Sequence, residues 1–102
     1  MSDKEKTIQD LKDLMKLFVK ERDWKKFHKS KNLTMALSVE SAELMELFQW
    51  LETDQAEKMM KDNSFRSKTI DEIADIMLYA IAFANRNDID ISDAIEKKIK
   101  KK

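Results

Sequence analysis

Two pairs of acids stand at three-residue spacing inside otherwise apolar stretches. Glu40 and Glu43 lie within residues 33–51, LTMALSVESAELMELFQWL, and Glu72 and Asp75 lie within residues 69–84, TIDEIADIMLYAIAFA. Residues three apart on a helix project from one side of it. A carboxylate among apolar neighbours is costly unless something pairs with it, and four that converge repel one another and resist ionisation. A hard divalent cation relieves both problems, and an all-oxygen donor set suits Mg²⁺ or Mn²⁺ better than zinc or copper. Spacing alone is a weak signal, because Asp10/Asp13, Asp54/Glu57, Asp90/Asp93 and Asp93/Glu96 share it on polar stretches. The ordinary alternative is that each acid pairs with a nearby cation: Lys29 and Lys31 precede the first pair, Arg66 and Lys68 the second. A ferritin-like di-iron site would need Glu-x-x-His from two helices, and no His follows Glu40 or Glu72 at that spacing.

Aromatic residues continue both acid stripes. Trp50 is seven residues beyond Glu43, about 10 Å along a helix, and Tyr79 is four beyond Asp75, about 6 Å. Rings beside a metal cluster are what a nucleotide would use, its base stacking while the metal takes the phosphates. An isolated aromatic is more often plain core, and the shared position on the acid stripes is what favours the functional reading.

The rest of the composition narrows the function. Twenty basic and twenty acidic residues cancel, which argues against a partner that is a nucleic-acid polymer. With no Cys and with His28 as the sole histidine, there is no disulfide, no thiolate site and no cysteine nucleophile, and little material for a histidine relay. His28, among lysines, reads as an exposed loop residue. No apolar run reaches membrane-spanning length and no signal-peptide pattern is present, so the expected setting is cytoplasmic and free of membrane.

The acids need rigid elements to hold them. The chain has neither Gly nor Pro, residues that turns and strands ordinarily require, so an all-α fold is expected. Apolar residues recur at helical spacing from Ile8 to Val19, which predicts a first helix over 5–23, with a basic loop over 24–32. The second helix is predicted over 33–51 and a short third over 55–61, capped by Thr53 or Asp54. The fourth is predicted over 67–85, and the last opens on Ser92 as its N-cap. The expectation is a single domain, residues 1–102: a helical bundle of four main helices plus one short one. Helices two and four are apolar on more than one side, more than a lone small bundle needs, so they are expected at an oligomer interface.

Taken together, Glu40-x-x-Glu43, a gap of 28 residues and Glu72-x-x-Asp75 resemble the motif of the MazG-like, all-α nucleoside triphosphate pyrophosphohydrolases, most closely the small dCTP-pyrophosphatase-type branch. The resemblance rests on RDWKKFH from Arg22, ALSVESAELMELFQW from Ala36 and DEIADIMLY from Asp71. It implies Mg²⁺-dependent hydrolysis of a (deoxy)nucleoside triphosphate to monophosphate and pyrophosphate, as in nucleotide-pool house-cleaning. By position it makes Glu40, Glu43, Glu72 and Asp75 metal ligands, with Glu43 also the candidate catalytic base. It sets Trp24, Trp50 and Tyr79 around the base and Lys98 toward the phosphates; Lys31 is a second candidate cation for the phosphates, outside what the resemblance implies. It also implies a homo-oligomer, a tetramer in preference to a dimer. The chain departs from the family pattern in three places. Ser41 and Ala42 fill a gap where a Gly is usual, Met15 stands where some relatives place a His, and Lys102 falls where an Asn is common. The competing functional class is a nucleotide-binding or helical interaction module without turnover.

Overall fold

The protein is described by a computed structural model covering residues 1–102. Five α-helices follow one another: α1 (Ile8–Glu21), α2 (Ser30–Phe48), α3 (Thr53–Met59), α4 (Asn63–Arg86) and α5 (Ile91–Lys101), with a 3₁₀ turn at Lys25–Phe27 between the first two. The all-α expectation holds. None of these helices is long and apolar enough to cross a membrane.

α4 is the axis of the fold. α2 lies against it antiparallel: the Phe48 ring at the end of α2 meets Phe65 near the start of α4 edge-on at 5.1 Å. At the other end of the pair, the Asn87 amide donates to the Ser30 hydroxyl at 3.1 Å. α1 also runs antiparallel to α4. Asn85 Nδ2 donates to the Lys12 carbonyl at 3.0 Å, and Met15 packs with Ile81 and Ala82. The core sits where the three helices meet, around Met15, Leu33, Ile81 and Ala82. Because α2 and α4 are antiparallel and in register at their ends, their midpoints coincide, and that is where the acid pairs stand.

Helix ends differ from the expected ones for local reasons. α1 is shorter than 5–23 and opens on a capping box: the Thr7 hydroxyl accepts from the Asp10 N–H at 3.1 Å while Asp10 Oδ2 accepts from the Thr7 N–H at 2.9 Å. That bonding holds the Asp10 carboxyl below the usual carboxylate range. α2 begins at Ser30 rather than 33, with Lys29 extended before it, and ends at Phe48 rather than 51. α3 starts two residues early because Glu52, not Thr53 or Asp54, caps it in a box with Gln55. α4 begins four residues before the expected 67, because the Asp62 carboxylate accepts from the Phe65 N–H at 2.9 Å. At α5 the cap is Asp90, which accepts from the Asp93 N–H at 2.9 Å, so Ser92 lies inside the helix.

A chain without glycine must still end its helices. Asp23 and Asp88, each two residues past a helix end, adopt φ of 52°. Asp and Asn enter this left-handed region at lower cost than other side chains, which is why they stand in for the missing glycine.

Candidate active site

The midpoints of α2 and α4 bring Glu40, Glu43 and Glu72 together: one carboxylate oxygen from each lies within 4.8 Å of the other two. Asp75 follows Glu72 by three residues on the same side of α4 and is half-buried. Its oxygens fall outside that tight group, but its charge acts on both Glu40 and Glu72.

Electrostatics mark this as an uncompensated cluster. Glu40 and Glu72 each carry a buried carboxylate oxygen, Oε2, with no hydrogen-bond partner. No Lys or Arg reaches any of the four acids, because the ion pairs of the chain lie at Met1–Glu5, Asp23–Lys26, Asp93–Lys97 and Glu96–Lys100. The alternative in which Lys29, Lys31, Arg66 or Lys68 neutralises the acids is therefore not realised. Burial first, and then the Glu43 carboxyl beside it, push Glu40 up to about 7. Burial raises Glu72 as well, with the charges of Glu43 and Asp75 acting in the same direction. Buried oxygens without donors, carboxyls whose ionisation is resisted and a wholly oxygen donor set fit a hard divalent cation.

The expected aromatic wall is divided. Trp24 sits just past α1, T-shaped on Phe18 at 5.2 Å, and its other neighbour is His28, 6.1 Å away between ring centroids. His28 in turn lies 6.3 Å from Tyr79, one turn beyond Asp75 on α4. Trp24, His28 and Tyr79 thus form a row leading toward the acids. Trp50 does not join it: α2 stops at Phe48, so Trp50 stands in the following turn and is 87% exposed. The sequence reading placed Trp50 on the acid stripe by extending the helix three residues too far.

His28 corrects a second expectation. It is half-buried rather than an exposed loop residue, and burial lowers its pKa, which favours the neutral ring. The available signal was its place in RDWKKFH, four residues after Trp24. The two lysines expected at the phosphates stay in solvent. Lys31 is exposed in the first turn of α2, nine residues or about 14 Å of helix before Glu40. Lys98 is exposed on α5, a helix with no buried residue.

Comparison with known proteins gives the family and the fold. Residues 35–102 match the model of the MazG-like family. The chain is 36% identical over 91 residues to dCTP pyrophosphatase 1 of Bos taurus, covering 89% of this chain and 54% of that protein. To dCTP pyrophosphatase 1 of Homo sapiens it is 35% identical over 95 residues, covering 93% and 56%. It spans about half the length of these mammalian relatives. The crystal structure of a pyrophosphatase from Archaeoglobus fulgidus matches with a TM-score of 0.86 at 30% identity, over 92% of this chain and 86% of that one.

Proposed function

We propose that this chain, which belongs to the MazG-like family, is a single-domain, Mg²⁺-dependent pyrophosphohydrolase of (deoxy)nucleoside triphosphates, dCTP-like or modified. It cleaves between the α- and β-phosphates, releasing monophosphate and pyrophosphate. The observation that carries this reading is the group of Glu40, Glu43 and Glu72, within 4.8 Å and without a single cationic partner. The names of the relatives support the substrate class.

In this reading Glu40, Glu43, Glu72 and Asp75 hold Mg²⁺, or Mn²⁺ in its place. A bound cation of this kind neutralises charge on the triphosphate and lowers the pKa of a bound water. The chain's own residues do the rest. Glu40, whose carboxyl is pushed up to about 7, and Glu72, raised by burial, give up whatever protons they hold when the site loads. Glu43, in the same group, is the base this reading assigns to the attacking water. Trp24 and Tyr79, with His28 between them, offer ring faces to the base, while Trp50 stands apart from them in solvent. Lys31 and Lys98, both exposed, are the ammonium groups this reading assigns to the phosphates. Positioning and charge account for most of the rate in phosphoryl chemistry. A role in cleaning the cytoplasmic nucleotide pool follows from such substrates.

The test is a panel of dNTPs with Mg²⁺, reading the products. Monophosphate plus pyrophosphate is the expected outcome. Diphosphate plus phosphate would place the cleavage elsewhere, and binding without turnover would leave the binding-module reading standing.

We also infer that the working form is a homo-oligomer, a tetramer rather than a dimer. Only five of the 102 residues are buried, while Met35, Val39, Ile73 and Met77, on the two acid-bearing helices, are between 44% and 57% exposed. Exposed apolar residues this concentrated mark association surfaces. Light scattering should give a mass near four times the 12.1 kDa of one chain. A monomer at micromolar concentration would contradict it.

A further inference from the structure

Trp24, the first ring of the aromatic row, lies three residues past the end of α1. Its backbone is nevertheless tied on both sides. The Trp24 N–H donates back to the Val19 carbonyl at 3.0 Å, and the Asp23 N–H donates to the Lys20 carbonyl at 3.2 Å. Two nested bonds of this kind around a left-handed residue, here Asp23 at φ 52°, make a Schellman ending. On the other side, the Trp24 carbonyl accepts from the Phe27 N–H at 2.9 Å and from the His28 N–H at 3.2 Å.

The place of the indole follows from that ending. A Schellman motif commonly folds the residue after the left-handed one back onto the last turns of its helix. Here the Trp24 ring meets Phe18 edge-on at 5.2 Å. The Arg22 guanidinium, 3.9 Å from the Phe18 centroid, packs on the same ring. From Trp24 the row continues to His28 and Tyr79. Asp23 is therefore the bend that turns the chain from α1 onto the first ring of the row.

The carboxylate of Asp23 has little part in this. Its ion-pair partner is Lys26, 3.4 Å away, with both side chains mostly in solvent, and such a pair contributes little. What Asp supplies is tolerance of the left-handed region, which glycine enters freely and a β-branched residue resists. Asp88 offers a comparison within the same chain. It has the same φ, and the Ile89 N–H that follows it donates to the Ala84 carbonyl at 2.9 Å. It leads into α5, however, and not to a ring of the row.

We propose that Asp23 is a positioning residue for the nucleotide base: the left-handed backbone it permits, and not its carboxylate, aims Trp24 into the aromatic row. The inference deepens the hydrolase reading and rests on its assignment of Trp24 to the base. A ring that holds the base equally well in the ground and transition states contributes to KM and leaves kcat alone. Strain at Asp23 should therefore be felt in KM.

Variants of the full chain, assayed with Mg²⁺ on whichever dNTP the panel shows to be turned over fastest, test this. Trp24→Ala should raise KM about tenfold, the scale of one lost base stack. Asp23→Val should raise KM at least about fivefold with kcat little changed, because a β-branched residue resists the left-handed region. Asp23→Gly, which also loses the carboxylate, should keep the natural KM. Asp88→Val should lower the melting temperature as Asp23→Val does, yet leave KM unchanged. Trp24 emission reads the same event without substrate. With Trp50→Phe in the background, Asp23→Val should shift the emission to the red and Asp23→Gly should not. If circular dichroism shows that Asp23→Val does not fold, Asp23→Ala takes its place with a rise in KM of about threefold. An unchanged KM or an unshifted emission in the Asp23→Val chain overturns the proposal and leaves the hydrolase reading intact. So does a KM raised equally by Asp23→Gly or by Asp88→Val. A natural KM in Trp24→Ala, or no turnover of any dNTP, instead removes the reading of Trp24, and the proposal falls with it.

Discussion

Glu43→Gln is expected to lower pyrophosphate release at least about 100-fold, the scale on which removing one preorganised charge from an active site is felt, and at the same time to raise the melting temperature of the metal-free protein. The two effects have one cause. One oxygen of Glu43 lies within 4.8 Å of both Glu40 and Glu72, and its carboxyl is the nearest reason, after burial, that Glu40 holds its proton up to about 7. Without a cation this proximity is repulsion, and the fold bears it. An amide of the same shape removes the charge and brings two N–H donors to a place where Glu40 and Glu72 each have a buried oxygen with no partner. With a cation bound, the same change deletes a ligand. A structural cluster behaves in the opposite way, because a carboxylate that anchors a cationic side chain destabilises the fold when it is lost. Melting temperature in EDTA and pyrophosphate release in Mg²⁺, measured on the same preparation, separate the two. Retained turnover, or a fall in melting temperature, would sink the assignment.

How far the sequence could carry this argument depends on which interactions are local. The pairing of Glu40 with Glu43, and of Glu72 with Asp75, is set by helical period and was readable from spacing. The meeting of the two pairs was inferred from their apolar setting, and it is realised for Glu40, Glu43 and Glu72, with Asp75 outside the tight group, because α2 and α4 are antiparallel with their midpoints aligned. Helix ends were less legible, since a cap is a single hydrogen bond that competes with composition. Residues 64–68 are polar apart from Phe65, which hid the start of α4. Yet Asp62 three residues before Phe65 is an N-cap arrangement, and it adds a full turn to the helix. The same kind of error at the other end of α2 moved Trp50 off the acid stripe and into solvent. His28 was misjudged because its charged neighbours are local while its partners are not: Tyr79, 51 residues away in sequence, supplies the ring that half-buries it. The outer apolar faces of α2 and α4, with Met35, Val39, Ile73 and Met77, are left exposed by the single chain.

In EDTA the protein is expected to be most stable on the acid side of neutrality, and divalent metal is expected to reverse that preference. An ordinary Glu titrates near 4.5, whereas Glu40 in the folded chain titrates at about 7. Between those values the folded state keeps a proton that the unfolded state has released. Stability therefore falls as pH rises from about 4.5 to about 7 and levels off above it. Glu72, also raised by burial, adds in the same sense. Asp10 works the other way, since its lowered pKa gives a contribution lost only as pH falls through the acid range. A cation inverts the trend around the acids, because it must displace their protons at pH 5 but meets open carboxylates at pH 8. At a hundredfold excess over its dissociation constant a ligand adds about 2.7 kcal/mol. For a domain of this size each kcal/mol is worth roughly 4–8 °C, so at pH 8 saturating Mg²⁺ should raise the melting temperature by about 10 °C or more. At pH 5 the rise should be a small fraction of that. Glu40→Gln should flatten the pH dependence in EDTA, because the proton it removes is the one that sets the slope. Scanning fluorimetry from pH 5 to 8, with EDTA and with Mg²⁺, reads both curves. A melting temperature in EDTA that stays level or rises over this range would reject the cluster as the origin of the linkage, and a metal shift of equal size at both ends would reject these acids as the ligands.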